Sequence, residues 1–263
     1  MNENNGSLSI EDLNFIYKQS SKNKKNSVIY SKRGIVIFVD VLGWKNSAND
    51  QTIIKLMELT NWLKWKILDT QLRFIKLEDY KNNVDIINLS DTIVILIDMK
   101  DGPYFWANIF NDISEFVCKA LFEYKLLFRG ALGYGDFIIN KGKSMFVGQV
   151  INEVAELYES ASWANILISD TFIKEFLSKN SKNNLVKIGI KKYDQIPYKE
   201  KNKHNEKYVL YPYERVWKNQ NGTEAIKILE TMNISNDNHI RNIFCNTIKF
   251  IQYIEEQKNE YNT

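Results

Sequence analysis

The chain has 263 residues, 44% of them apolar and 25% charged, with a mean hydropathy of −0.36 and a formal net charge of +3. That is enough chain for one large domain with a sizeable core, and the interspersed charges do not by themselves point to a nucleic-acid partner. No apolar stretch is long enough to span a bilayer, residues 1–26 are too polar for a secretory leader, and Cys118 and Cys245 lie too far apart for metal-type spacing; a cytosolic protein with no membrane contact is expected.

Residues 10–17 form a short amphipathic piece, and the Lys/Asn/Ser run over 19–26 is expected to be mobile. The first strand covers 34–41, where Ile35 to Val39 run apolar straight into Asp40. Ile53, Leu56, Leu59 and Leu63 then recur at helical spacing over 52–70. An extended segment at 85–87 and the β-branched run 92–98 read as a hairpin bent at Leu89, Ser90 and Asp91. Pro103 suits the first turn of a second helix reaching about Tyr124, in which Cys118 is a buried free thiol.

Next comes a strand over 126–135 with glycines at 130, 133 and 135, a pattern suggesting close approach by another backbone or a ligand. A short strand over 144–147 leads to Gly148, which opens a helix with Val150, Ile151, Val154 and Leu157 on its apolar face. Residues 166–168 form a further strand, and Ser169 is placed to cap a helix over 171–178. Residues 185–190 and 208–211 are expected as a last pair of strands. Helical patterns over 224–232 and 239–256 are expected either to cover the sheet edge or to form an oligomer contact. The order β-α-β-β-α-β-(β)-α-β predicts an α+β fold of ferredoxin-like type, a mixed, mostly antiparallel sheet with helices packed on one face. The division expected is a polar extension over 1–30, a catalytic domain over 31–215 and a helical extension over 216–263.

Two aspartates carry the chemistry. Asp40 and Asp91 each stand at the edge of an apolar strand, where a carboxylate needs a partner. Two such carboxylates on neighbouring strand ends make a hard, oxygen-rich site suited to Mg²⁺ or Mn²⁺ and, through the metals, to a triphosphate. Main-chain N–H groups at Leu42, Gly43 and Trp44, just before the helix, form a cradle for phosphates, and Gly43 leaves room for their close approach. Arg129 is a charge inside an apolar strand. It either forms a structural salt bridge, for example to Glu153 or Glu156, or supports the phosphates. Trp44, Tyr134 and Met145 are candidates for a base pocket or for core. His204 and His239 have no nearby ligand partners and receive no role.

In order, the runs FVDVLGW, NLSDTIVIL, FRGALGYG, FVGQVINEVAELYESA and ILISDTF resemble the catalytic domain of class III nucleotidyl cyclases over about residues 31–172. The F-x-D-I-x-G-F type motif of that family is matched by Phe38, Asp40, Val41, Gly43 and Trp44, its second aspartate by Asp91, and its Gly-opened helix with an asparagine by Gly148 and Asn152. The resemblance implies two metals held at Asp40, Val41 and Asp91, triphosphate contacts at Val41, Leu42, Gly43, Trp44 and Arg129, and a catalytic Asn152 supplied by the other subunit of a homodimer. Purine cyclases read their base from places that fall here near Ile87 and on Met145, which offer a purine edge no hydrogen bond, and their transition-state arginine is replaced by Glu156.

The details are more similar to the pyrimidine cyclases of Pycsar antiphage systems, through 41–44, 90–91, 129–131 and 155–158. That resemblance implies conversion of UTP or CTP to the 3′,5′-cyclic nucleotide, which then activates a separate effector protein. The alternative is a catalytically silent cyclase-homology domain that binds a nucleotide or a partner.

Overall fold

The computed structural model describes residues 29–42, 49–74, 84–98, 103–140, 145–179, 182–200, 206–214, 222–232 and 237–260. Residues 1–28 of the expected N-terminal extension, Gly43, Trp44 and His204 lie outside these, and Ile29 and Tyr30, also assigned to that extension, belong to the first strand instead. Among the described residues the element order begins β1 (Ile29–Val41), α1 (Asp50–Phe74), β2 (Val84–Leu89), β3 (Thr92–Asp98), α2 (Pro103–Lys119) and β4 (Phe128–Asn140). It continues β5 (Met145–Val147), α3 (Gln149–Leu157), β6 (Ile166–Ile168), α4 (Asp170–Lys179), α5 (Lys182–Lys187), β7 (Ile190–Lys192), β8 (Tyr208–Leu210), α6 (Gly222–Met232) and α7 (Asn238–Glu260).

The strands form one open sheet in the order β2-β3-β1-β4-β6-β8-β7, with β5 paired to β4. All neighbours are antiparallel except β4 and β6, giving the mixed, mostly antiparallel α+β architecture expected. The central strand β1 is buried on both sides from Ile35 to Val39, which is why it reads as a continuous apolar run rather than an alternation. Its odd-numbered residues Ile35, Ile37, Val39 and Val41 share one core with Leu56, Leu59 and Leu63 of α1, Ile109, Ile113 and Phe116 of α2, and Phe172 and Phe176 of α4.

The even-numbered residues Val36 and Phe38 face the other way, onto Val150, Ile151 and Val154 of α3, in a second core that includes Leu229 of α6 and Phe250, Ile251 and Ile254 of α7. The long helices α1 and α2 thus pack on one face as predicted, and the structure adds α3, α6 and α7 on the other. Gly133 explains how closely α3 sits: a Cβ there would stand 2.7 Å from Cγ2 of Val154. The close approach inferred from the strand glycines is therefore that of α3 at Gly133 and of the β1 backbone at Gly130, where a Cβ would collide with the Phe38 carbonyl oxygen.

Residues 185–190 do not form the expected strand. Residues 182–187 are helical, and Gly189 at φ +78 ends that helix before β7 begins at Ile190. Buried Leu185, Ile188 and Ile190 make a short apolar run that fits either period, and the left-handed glycine decides it. Ser169 does cap α4, accepting the Phe172 N–H at 3.3 Å. The hairpin turn falls on Ser90 and Asp91, with Ser90 left-handed at φ 61. Cys118 is buried and free, Cys245 exposed and free.

Candidate active site

Register builds the site. Asp40 is the penultimate residue of β1, and its cross-strand neighbours are Thr92 on one side and Arg129 on the other. Directly opposed residues share a face, so the three side chains line up across the sheet. The Thr92 hydroxyl donates to Asp40 Oδ1 at 3.3 Å, and Arg129 donates to Oδ2 from Nε at 3.1 Å and from Nη2 at 2.9 Å. Asp91 belongs to the β2–β3 turn, whose position is fixed because its main-chain carbonyl accepts the Val41 N–H at 3.2 Å. The two aspartates interact: burial is the main cause that pushes the Asp40 carboxyl above the usual carboxylate range, the Arg129 charge and hydrogen bond pull it back, and the Asp91 charge adds to the rise.

A further layer surrounds Arg129. Its Nη2 lies 3.6 Å from Oε1 of Glu159, and its guanidinium carbon lies 5.9 Å from the centre of the Tyr158 ring. The Tyr158 hydroxyl donates to Glu159 Oε1 at 2.9 Å; burial first, and Glu159 second, push its pKa up to about 12. Beneath, Phe38 packs against Tyr158 and Phe146 with ring centroids 5.9 and 6.2 Å apart, forming an apolar floor.

Lys199 is carried in by the loop after β7. Its main-chain N–H donates to the Ser160 carbonyl at 2.8 Å, and the loop bridges Ala161 to Tyr198. Partial burial first, and the charge of Arg129 second, lower the Lys199 ammonium, while Glu159 and Asp40 oppose them. Asp40, Asp91, Glu159, Arg129 and Lys199 thus form one cluster of interacting charges of both signs.

Asp40, Asp91 and Arg129, three of the residues singled out in the sequence, are therefore brought together. Val41 closes β1, and Leu42 donates its N–H to the Leu127 carbonyl at 2.9 Å. Gly43 and Trp44 lie outside the described residues. Past them, Asn49 caps α1 by accepting the Thr52 N–H at 2.9 Å. Asn152 is exposed on α3, and among the described residues no hydrogen bond or ion pair joins it to Asp40, Asp91 or Arg129. Arg129 pairs with Asp40 and Glu159, not with Glu153 or Glu156: Glu153 accepts from Thr171 at 2.9 Å, and Glu156 is exposed. Tyr134 belongs to the core and Met145 is exposed.

Thr92, Tyr158, Glu159 and Lys199 were not singled out from sequence. The register of β1 against β3 and β4 was the one signal that could have found Thr92, and it also pairs Arg129 with Asp40.

The donor set suits a hard cation. The buried Asp40 carboxyl is held only weakly at Oδ1, its ionised form is short of compensating charge even with Arg129 in place, and Asp91 stands beside it half-buried. Among the described residues no three His, Cys, Asp or Glu side chains converge to cage a metal unaided. Such a cation would keep further oxygen ligands from water or phosphate, as Mg²⁺ commonly does. Among the described residues no helix is long and apolar enough to cross a membrane.

No protein-family model matches the chain, and neither does any curated protein. Solved structures do. The catalytic core of a rhodopsin–guanylyl cyclase with converted specificity, in complex with ATPαS, superposes with a TM-score of 0.49 at 12% identity, covering 70% of this chain and 99% of that one. An adenylyl cyclase of P. aeruginosa gives 0.45 at 15% identity over 72% and 99%. The non-canonical dimeric guanylyl cyclase domain of a rhodopsin fusion protein from the aquatic fungus Blastocladiella emersonii gives 0.46 at 13% identity over 71% and 98%.

Proposed function

We propose that this chain is a pyrimidine nucleotide cyclase, converting UTP or CTP to the 3′,5′-cyclic monophosphate and pyrophosphate as the messenger-making part of an antiphage defence system. The observation that carries the reading is the meeting of Asp40 and Asp91 at the end of β1, beside a partly buried arginine. In the reaction the ribose 3′-oxygen bonds to the α-phosphorus, the bond to the β-phosphate breaks, and the hydroxyl proton leaves.

Asp40, Val41 and Asp91 would hold the divalent cations, two Mg²⁺ or Mn²⁺ per site. When bound, these acidify the ribose hydroxyl and neutralise charge on the triphosphate. Gly43 and Trp44 would receive the β- and γ-phosphates along their main chain, with Arg129 supporting them. The Val41 and Leu42 N–H groups, expected in the same cradle, donate to the Asp91 and Leu127 carbonyls and so leave it. Asn152, exposed on α3, would reach the site of a second copy and orient the ribose or the reacting phosphate, so the working unit is a homodimer with composite sites.

Half-buried Ile87 and exposed Met145, in the places from which purine cyclases read their base, offer a purine edge no hydrogen bond and count against a purine. The choice of a pyrimidine rests on the resemblance of 41–44, 90–91, 129–131 and 155–158 to the pyrimidine cyclases. The product would reach a separate effector protein.

A second reading, a silent domain that binds without turnover, is favoured by exposed Glu156 in the place of the family's arginine. A thermal shift tests the metal-dependent nucleotide site that the first reading requires. Ligand at a hundred times its Kd stabilises the native state by about 2.7 kcal/mol. Mn²⁺ with UTP or CTP should therefore raise the melting temperature of the wild type and leave Asp40→Ala unmoved. Stabilisation by a cyclic nucleotide alone, without metal, would favour the silent domain.

A further inference from the structure

Arg129 sits between two carboxylates. It makes two hydrogen bonds to Oδ2 of Asp40, at 3.1 and 2.9 Å, and its Nη2 is 3.6 Å from Oε1 of Glu159. The Tyr158 ring lies against its guanidinium, and the Tyr158 hydroxyl holds Glu159 in place through a 2.9 Å hydrogen bond. The first partner is the buried carboxylate that would take the metal. The second is open to water, its side chain 55% exposed.

A guanidinium and a divalent cation on one carboxylate repel each other even when the guanidinium keeps Oδ2 and the cation takes the weakly held Oδ1. That repulsion loosens Arg129 from Asp40 when the metal enters, and a partly buried guanidinium without a partner is costly. Glu159 is already within reach of the same nitrogen. The exchange needs only a side-chain movement, with Tyr158 as a surface common to both positions.

Resting on the metal reading of Asp40 given above, we propose that Arg129 is a built-in competitor of the metal, and that Glu159 is a positioning residue which receives Arg129 and so sets how much divalent cation the site requires. The metal-free chain keeps Arg129 on Asp40; the chain loaded with metal alone keeps it on Glu159, and the phosphates take it from there when nucleotide binds.

The test is Mn²⁺ binding without nucleotide, followed by the electron paramagnetic resonance signal of free Mn²⁺, on wild type, Arg129→Gln, Glu159→Gln, the double variant and Asp40→Asn. Glu159→Gln should weaken binding about threefold to fivefold, the size of an exposed ion pair. Arg129→Gln should tighten it about tenfold. In the Arg129→Gln background, adding Glu159→Gln should change almost nothing, since Glu159 acts only through Arg129. If Glu159 merely attracts Mn²⁺ by its charge, its replacement weakens binding equally in both backgrounds, and the proposal falls. Equal affinity in wild type and Arg129→Gln, abolished by Asp40→Asn, keeps the metal reading and removes the proposal. No Asp40-dependent binding in any variant removes both. Should Arg129→Gln not fold, Arg129→Lys, which cannot make the paired hydrogen bonds to Oδ2, takes its place as the second background, and unchanged affinity in Glu159→Gln refutes the exchange.

Discussion

Asp112 lies on α2, 2% exposed, and its Oδ2 accepts the Thr70 hydroxyl of α1 at 2.6 Å. Burial is the main cause that pushes its carboxyl from the ordinary 3.8 up to about 7. The Thr70 hydrogen bond and the Lys66 charge act against this rise, and the Glu115 and Asp69 charges reinforce it. The native state therefore holds its proton more tightly than the unfolded chain does. Stability is fully present below the unfolded value and is lost as pH rises through the native one. Each pH unit of displacement is worth about 1.4 kcal/mol, so the ionised native protein carries a cost of about 4 kcal/mol.

Asp112→Asn keeps an oxygen for Thr70 and never ionises, so it removes that cost. Urea unfolding of both proteins should show the variant more stable at about pH 8 and less so at about pH 5, the gap widening by about 2.5 kcal/mol between them. A gap that does not change with pH would refute the reasoning, because it would mean the carboxyl titrates in its ordinary range and is not buried between α1 and α2.

Other consequences are equally open to measurement. If the site is composite, Asp40→Ala and Asn152→Ala are each inactive alone, and co-expressed in equal amounts they regain about a quarter of wild-type turnover, since half the dimers then hold one intact site. A mixture that stays inactive would place the whole site within one chain. Burial pushes the Cys118 thiol above its ordinary range, and its Sγ contacts the Pro212 carbonyl at 3.6 Å. A thiol reagent should therefore label Cys245 in the native protein and reach Cys118 only after denaturation; rapid labelling of both would show that the second core opens.

Much of the fold was legible because it follows from period and turn chemistry. The apolar run from Ile35 to Val39 marks a strand buried on both faces, the turn at Ser90 and Asp91 marks a hairpin, and Ser169 marks a helix start. The helix at 182–187 was missed because its apolar residues are too few to fix a period before Gly189 stops it. In the site, Asp40 and Asp91 announced themselves as carboxylates at strand tips. The partner of Arg129 did not, because the choice among Asp40, Glu153, Glu156 and Glu159 depends on strand register and on where α3 ends, neither of which spacing reveals. Lys199 was beyond reach for a further reason: it arrives through the pairing of a polar loop with residues 160–162.

The central claim is that this site cyclises a pyrimidine nucleotide, and the most direct measurement is a product assay. Purified protein with Mn²⁺ is given each of the four ribonucleoside triphosphates separately, and products are identified by mass spectrometry beside Asp40→Ala and Asp91→Ala. Cyclic UMP or cyclic CMP from the wild type alone is the predicted result. Cyclic AMP or cyclic GMP would contradict the pyrimidine assignment while keeping the cyclase. Intact nucleotide in all four reactions, at high protein concentration, would contradict catalysis itself.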